Sequence, residues 1–273
     1  WSNTNVLFLA ISKAFPVLAD FGIARIIIML TKTRVGFFLA SLYLLNPISM
    51  IDGAHWGQVD SLGVFMFLLA FIAVLKNKPM LAGVIFMAAM MTKLQNMIYG
   101  PVFFLFVWQT LGSPGLVRVI GGATAAFFGL NIEFLLTRNM ARVIASLTEN
   151  YDYFPWMSLN AFNLWWIVSG ARGMEVSDKL LAVGIANAKT VGLMLFSCLY
   201  LFATLQQVFI RGGLAKMQDH LLRNFFVSLI LVNAAFFLFQ TQSHDRYAFP
   251  LSVFLLLWMP FLKKIGNKLF SWL

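Results

Sequence analysis

Between Asn46 and Asp60 the chain places two carboxylates (Asp52 and Asp60), an imidazole (His55), an amide (Gln58) and an indole (Trp56), with long apolar runs on both sides. Gly53 and Gly57 permit a backbone tight enough for several of these side chains to converge. A plain turn between helices would account for the Asn, Pro, Gly and Asp. It gives no reason for the indole, the amide and the imidazole, so the stretch reads as a ligand-facing loop. Asp60 or Asp52 could serve there as the base that takes a proton from a hydroxyl nucleophile. Trp56, Gln58 and His55 would bind the ligand beside it.

Three other stretches carry chemistry. Lys93 interrupts an apolar hairpin near its tip; its ammonium could snorkel to the interface or meet a phosphate brought to membrane depth. In Gln242-Ser243-His244-Asp245-Arg246-Tyr247, His244 and Arg246 offer donors for a phosphate, the guanidinium bidentately. The bland alternative is an exposed Asp245–Arg246 pair. The segment Tyr151–Trp166 is rich in aromatics, which gather at membrane interfaces for ordinary reasons. A helix there would put Asn160 and Asn163 on one face beside the tryptophans. Those amides, with Tyr153 and Trp165, suit a polyol that has one apolar face, as a sugar does. Asp20 lies within the first apolar run, where an ionisable group faces a cavity or finds a partner, Arg25 or Lys13 being near in sequence. No metal-ligand spacing, phosphate-binding loop or dinucleotide fingerprint occurs, so neither metal nor cofactor is expected. Gly121-Gly122 and the scattered glycines read as close helix packing.

The elements that must position these groups are membrane helices. The chain of 273 residues is 60% hydrophobic and 11% charged, with a mean hydropathy of +0.83, against about a quarter charged in a soluble domain. The expected fold is all-α, a polytopic transmembrane bundle of about eight or nine spans with short re-entrant or interfacial helices on one face. Spans fall near 5–30, 35–51, 60–76, 79–94, 98–112, 117–137, 181–210, 222–242 and 246–265. Each half of 79–112 is short enough for a re-entrant hairpin to fit as well. Asn46-Pro47 should end the second helix. The formal charge of +10 does not indicate nucleic acid, because the basic residues sit in short loops between apolar runs. If the spans alternate, Lys32, Arg34, Lys76, Lys78, Arg118, Arg211, Lys216, Arg223, Lys263, Lys264 and Lys268 share one side, cytoplasmic by the positive-inside rule. Five basic residues in 138–189 weigh the other way. Nearly all the acids fall with the opposite loops, which looks like a polar site gathered at the outer face. The lone Cys198 excludes a disulfide framework.

Taken together these pieces resemble the GT-C membrane glycosyltransferases, in particular bacterial relatives of the mannosyltransferases of GPI and dolichol-linked glycan assembly. The resemblance rests on Asn46-Pro47 with Trp56-Gly57-Gln58-Val59-Asp60, on Lys93 and Gln95 before Pro101, on Ser158-Leu159-Asn160-Ala161-Phe162-Asn163-Leu164-Trp165, and on His244-Asp245-Arg246-Tyr247 with Pro250. Lys13 and Pro16 ahead of Asp20 fit the same pattern, and the match runs from about residue 11 to 255. It implies a polyprenyl- or dolichyl-phosphate sugar as donor, a glycan, lipid or protein as acceptor, transfer usually with inversion, and a multi-pass protein of the bacterial inner membrane whose site faces the periplasm. It also implies a general base in an outer loop after the first span. That loop would precede Trp1, so residues 1–273 read as one glycosyltransferase domain lacking its first span and first outer loop. Lys93, His244 and Arg246 then fit the donor phosphate. The rival readings are a transporter or flippase of lipid-linked sugars, expected to place polar groups near the midplane, and a non-catalytic membrane assembly subunit.

Overall fold

The computed structural model describes residues 3–31, 34–149, 154–209 and 217–262. Among these the chain is almost wholly helical. In order come α1 (Asn3–Thr31), α2 (Arg34–Leu44), the short α3 (Pro47–Ser49) leading into a π-helical turn (Met50–His55), α4 (Asp60–Leu75) and α5 (Pro79–Thr92). A 3-10 turn (Leu94–Tyr99) opens α6 (Gly100–Leu130), followed by α7 (Ile132–Leu136), α8 (Met140–Thr148) and α9 (Leu164–Val168). A small hairpin of β1 (Leu181–Val183) and β2 (Ala186–Asn187) precedes α10 (Ala188–Phe209), α11 (Met217–Phe239) and α12 (Phe249–Trp258).

The local signals explain the breaks. Helix α2 stops where Asn46-Pro47 predicts, and the Asn46 side chain accepts the Ile48 N–H at 3.0 Å while Pro47 opens the next turn. Asn77 joins α4 to α5 with φ of 54°, a left-handed conformation that asparagine tolerates. Gly112, at φ 67° and ψ −173°, cannot be helical and divides α6 into two arms. Those arms fold back on each other. Phe103 stacks on Phe86 at 4.6 Å, yet Asn131 reaches the sulfur of Met91 at 3.6 Å. Two residues five apart on α5 thus touch residues that a straight helix would hold about 40 Å apart.

Among the described residues, four helical stretches are long and apolar enough to cross a membrane: Val6–Thr31, Leu94–Leu130, Ala188–Val208 and His220–Phe239. Arg34–Leu44 with Pro47–His55, bent by 51°, would make a fifth. Asp60–Leu75 and Pro79–Thr92 are apolar but shorter. The nine sequence windows fall mostly on helices or arms of helices, but 181–187 is the β1–β2 hairpin ahead of α10, and among the described residues length and composition qualify only four or five stretches as spans; the single stretch Leu94–Leu130 takes in 98–112 and most of 117–137, bent at Gly112.

The core is aromatic. Phe67 of α4 lies between 5.2 and 6.3 Å from the rings of Phe86, Tyr99, Phe103, Phe225 and Phe254, joining α5, α6, α11 and α12. Hydrogen bonds tie the apolar helices where the hydrophobic effect does not. The Ser228 hydroxyl donates to the Ala203 carbonyl at 2.7 Å, and the Gln207 amide to the Gln109 oxygen at 3.2 Å. Of the two adjacent glycines, only Gly122 matters for packing. A Cβ there would sit 2.1 Å from the Met80 carbonyl, whereas one on Gly121 would meet nothing within 4 Å.

The loops 50–60, 93–99, 154–180 and 240–248 come together at one end of the bundle, through contacts detailed below, and the 76–78 turn lies at the other end of the α4–α5 hairpin. If α4 and α5 both cross a bilayer, single cysteines replacing Ile185 and Asn77, both exposed, in a Cys198→Ser background should label with an impermeant thiol reagent from opposite sides of sealed vesicles. Labelling of both from one side would make the α4–α5 hairpin re-entrant.

Candidate functional site

Asp60 is the first residue of α4 and Lys93 follows the last of α5, so the antiparallel hairpin of these two helices brings the two ends together. The Lys93 ammonium pairs with the Asp60 carboxylate, which is buried. The Lys93 nitrogen also stands 4.9 Å from the centre of the Tyr247 ring, over its face, and the Arg246 guanidinium lies 5.9 Å from the same ring. The His244 ring is 5.3 Å from Tyr247, edge-on. The three residues expected to hold a phosphate are thus gathered around one aromatic, from two chain segments some 150 residues apart. Several polar atoms here have no partner: Oδ2 of Asp60, Nε of Arg246, and both amide atoms of Gln95 two residues beyond Lys93.

Asp52 lies in the π-helical turn and is only 2% exposed. Neither carboxylate oxygen accepts a hydrogen bond. It sits within electrostatic range of Asp60 and Asp20 on the one hand and of Lys93 and Arg246 on the other. Single π turns inside helical runs recur where a side chain must be re-aimed, and this one turns Asp52 inward while His55 and Trp56 stay exposed. The loop therefore does not converge as a unit. Asp52 and Asp60 face the interior, Gln58 is half-buried, and His55 presents its backbone carbonyl to the Lys13 ammonium at 2.6 Å.

Asp20 is not paired with Arg25 or Lys13, as the sequence leaves open. One of its oxygens accepts from the Tyr43 hydroxyl at 2.6 Å. The other packs so closely on Gly53 that a Cβ at that position would lie 2.5 Å from it. Gly53 is thus a site of close approach that lets a buried carboxylate support the turn carrying Asp52.

The segment after Phe154 departs from expectation. Its Ser158–Asn163 portion is extended rather than helical, because its backbone pairs with other loops: the Leu159 N–H donates to Ser243 O at 2.9 Å and the Gln242 N–H to Trp156 O at 3.1 Å. Helix α9 begins only at Leu164, so Asn160 and Asn163 do not share a helical face. Asn160 is exposed at φ 63°. Asn163 is 1% exposed, its amide donating to the Phe237 and Gln240 carbonyls at 3.2 Å each while its oxygen caps α9. The Trp165 indole N–H donates to the Phe239 carbonyl at 2.6 Å. These carbonyls are the orphan acceptors at the end of α11. Asn163 and Trp165 are therefore corrected from sugar ligands to cap residues, since their donors are already committed. Tyr153 lies outside the described residues.

Two residues that hold the site were given no role of their own in the sequence. Tyr247 is one; the signal for it was an aromatic next to Arg246. Asp178 is the other. Fully buried, it accepts from the Thr241 hydroxyl at 3.0 Å and the Gln242 amide at 2.7 Å, so it anchors the loop that presents His244 and Arg246. No sequence spacing links positions 178 and 241, and only the fold brings them together. Burial holds His244 below its ordinary value, with the charge of Arg246 acting in the same direction, so the imidazole is neutral at pH 7 and donates through one N–H. Among the described residues no group of three or more His, Cys, Asp or Glu could hold a metal ion.

Comparison with protein-family models, with curated proteins and with solved structures finds no match to this chain.

The cap assignment is testable in stability. Trp165→Phe keeps the ring but orphans the Phe239 carbonyl, an expected loss of about 1–3 kcal/mol in thermal or denaturant unfolding in detergent. A sugar-stacking role instead requires parent-like stability with weakened sugar binding. His244 also ties stability to pH. Below its ordinary value of 6.5 the unfolded chain takes up a proton that the folded chain resists, so the stability present above 6.5 drains as pH falls through the lower folded value. Between pH 7 and 5 the melting temperature of the parent should fall relative to that of His244→Gln.

Proposed function

We propose that this chain is a membrane glycosyltransferase that moves a hexose, mannose in the favoured case, from a polyprenyl- or dolichyl-phosphate sugar to an acceptor hydroxyl at the outer membrane face. The observation that carries the reading is Asp52, a buried carboxylate without a hydrogen-bond partner, held in the field of two cations that flank one ring. A structural acid accepts hydrogen bonds, as Asp20 does from Tyr43 and as Oδ2 of Asp178 does from Thr241 and Gln242. One left unpaired beside unpartnered Arg246 and Gln95 atoms is suited to a ligand that supplies the missing partners.

In this reading the acceptor oxygen attacks the anomeric carbon, the bond from that carbon to the phosphate oxygen breaks, and the electron pair leaves on the lipid phosphate. Asp52 takes the acceptor proton, directly or through one water. Lys93 and Arg246 meet the charge that builds on the phosphate, and neutral His244 donates one hydrogen bond to it. Asp60 holds Lys93 in place over Tyr247 rather than acting as the base. Exposed Trp56, His55 and Asn160, with half-buried Gln58, remain available to a sugar or acceptor arriving from the loop side. The donor's location follows from the acids gathering with the loops opposite the basic ones, where nucleotide sugars are not supplied.

The test is transfer in liposomes from labelled polyprenyl-phosphate mannose to an extracted glycolipid acceptor. Asp52→Asn and Arg246→Lys should each slow single-turnover transfer by roughly 100-fold or more, since the second keeps charge but loses the planar fork. Parent-like rates for both would remove this cluster from the chemistry. Equal transfer from a nucleotide sugar without lipid carrier would remove the donor class, and transbilayer movement of the donor with no transfer would favour a flippase.

A further inference from the structure

Away from this cluster, α1 and α2 enclose a groove of about 570 Å³ lined by Phe21, Ile28, Met29, Phe37 and Leu44 around a single cation, Arg25. Arg25 is exposed, and among the described residues no hydrogen bond or ion pair engages its guanidinium. The one acid on its helix, Asp20, is buried and bound by Tyr43. A cation on an apolar, lipid-facing helix is unfavourable unless an anion or water reaches it. Arg25 stands six residues before Thr31, the end of the span, or about 9 Å along the axis. That depth lies several ångströms inside a hydrocarbon half-thickness of about 15 Å, within reach of the head groups of the leaflet at the α1–α2 turn. Exposed Arg34 opens α2 at the same end.

We infer that this groove binds an anionic phospholipid. The Arg25 guanidinium holds the phosphate bidentately, and an acyl chain lies along Phe21, Ile28 and Phe37. Charge complementarity selects the occupant: apart from Ser41 the rest of the lining is apolar, and its one charged group is an unpaired cation within reach of the head groups. The inference rests on α1 being a membrane span and not on the transfer chemistry.

The experiment uses the whole chain in vesicles with nitroxide-labelled phosphatidylglycerol or phosphatidylcholine, reading the motionally restricted lipid by electron paramagnetic resonance. The expected preference for phosphatidylglycerol is about fivefold, the ratio for one basic residue near a membrane surface. It should fall to about one in Arg25→Gln, persist in Arg25→Lys, and be unaffected by Arg142→Gln on α8. Ser41→Trp, which fills the groove from an exposed position, should reduce restricted lipid of both kinds at unchanged helix content. Equal binding of the two lipids by the parent protein overturns the inference, as does a preference that survives Arg25→Gln. So does a dimer that forms through this groove and leaves lipid selectivity untouched when Ser41→Trp disrupts it.

Discussion

An ammonium buried at the end of an apolar bundle has to be met by an opposite charge, because the penalty for leaving it alone is several kcal/mol. Lys93 meets that condition with Asp60 and with the face of Tyr247. These contacts tie the ends of α4 and α5 to the loop before α12, three elements that would otherwise share only apolar packing. Around Phe67 the aromatic core is tolerant, since rings of similar size exchange neighbours at little expense. The ion pair is not tolerant in that way. Removing Lys93 leaves the Asp60 carboxylate buried and without its counter-charge.

Everything else at this end either supports that pair or stands ready beside it. Asp20, through Tyr43 and Gly53, supports the π turn. Asp178, through Thr241 and Gln242, anchors the 240–248 loop, and Asn163 and Trp165 close the end of α11 from the same segment. These residues are polar and buried, and each has partners. Asp52, Gln95 and Nε of Arg246 are also buried but lack them. Asp178 accepts two hydrogen bonds through one oxygen and Asp52 accepts none through either, and that contrast separates scaffold from candidate chemistry here better than residue type does. By type alone, Asp178 and Asp52 are indistinguishable.

The membrane helices satisfy their backbones internally, and interhelical side-chain bonds such as Ser228 to Ala203 and Gln207 to Gln109 add to that. Among the described residues, Arg25 on the lipid side and Asp52 at the loop end lack such partners. Each is a charge whose surroundings in the chain do not complete it, and each therefore asks for a ligand from outside.

Much of the fold was legible in the sequence, because apolar length and helix-breaking residues are local properties. Asn46-Pro47 ends α2, Asn77 turns α4 into α5, and the break between 98–112 and 117–137 falls at Gly112. The meeting of Lys93, His244 and Arg246 was also anticipated, since cations placed in loops on one face have few other places to go. Three things were decided only by the tertiary structure. The first was which acid faces which cation, because that depends on the α4–α5 hairpin. The second was that Asn163 and Trp165 cap α11 rather than await a sugar, because the carbonyls they serve lie more than 70 residues away. The third was the place of Asp178 under the 240–248 loop. A side chain's identity states what bonds it can make; only the fold determines whether those bonds are already made.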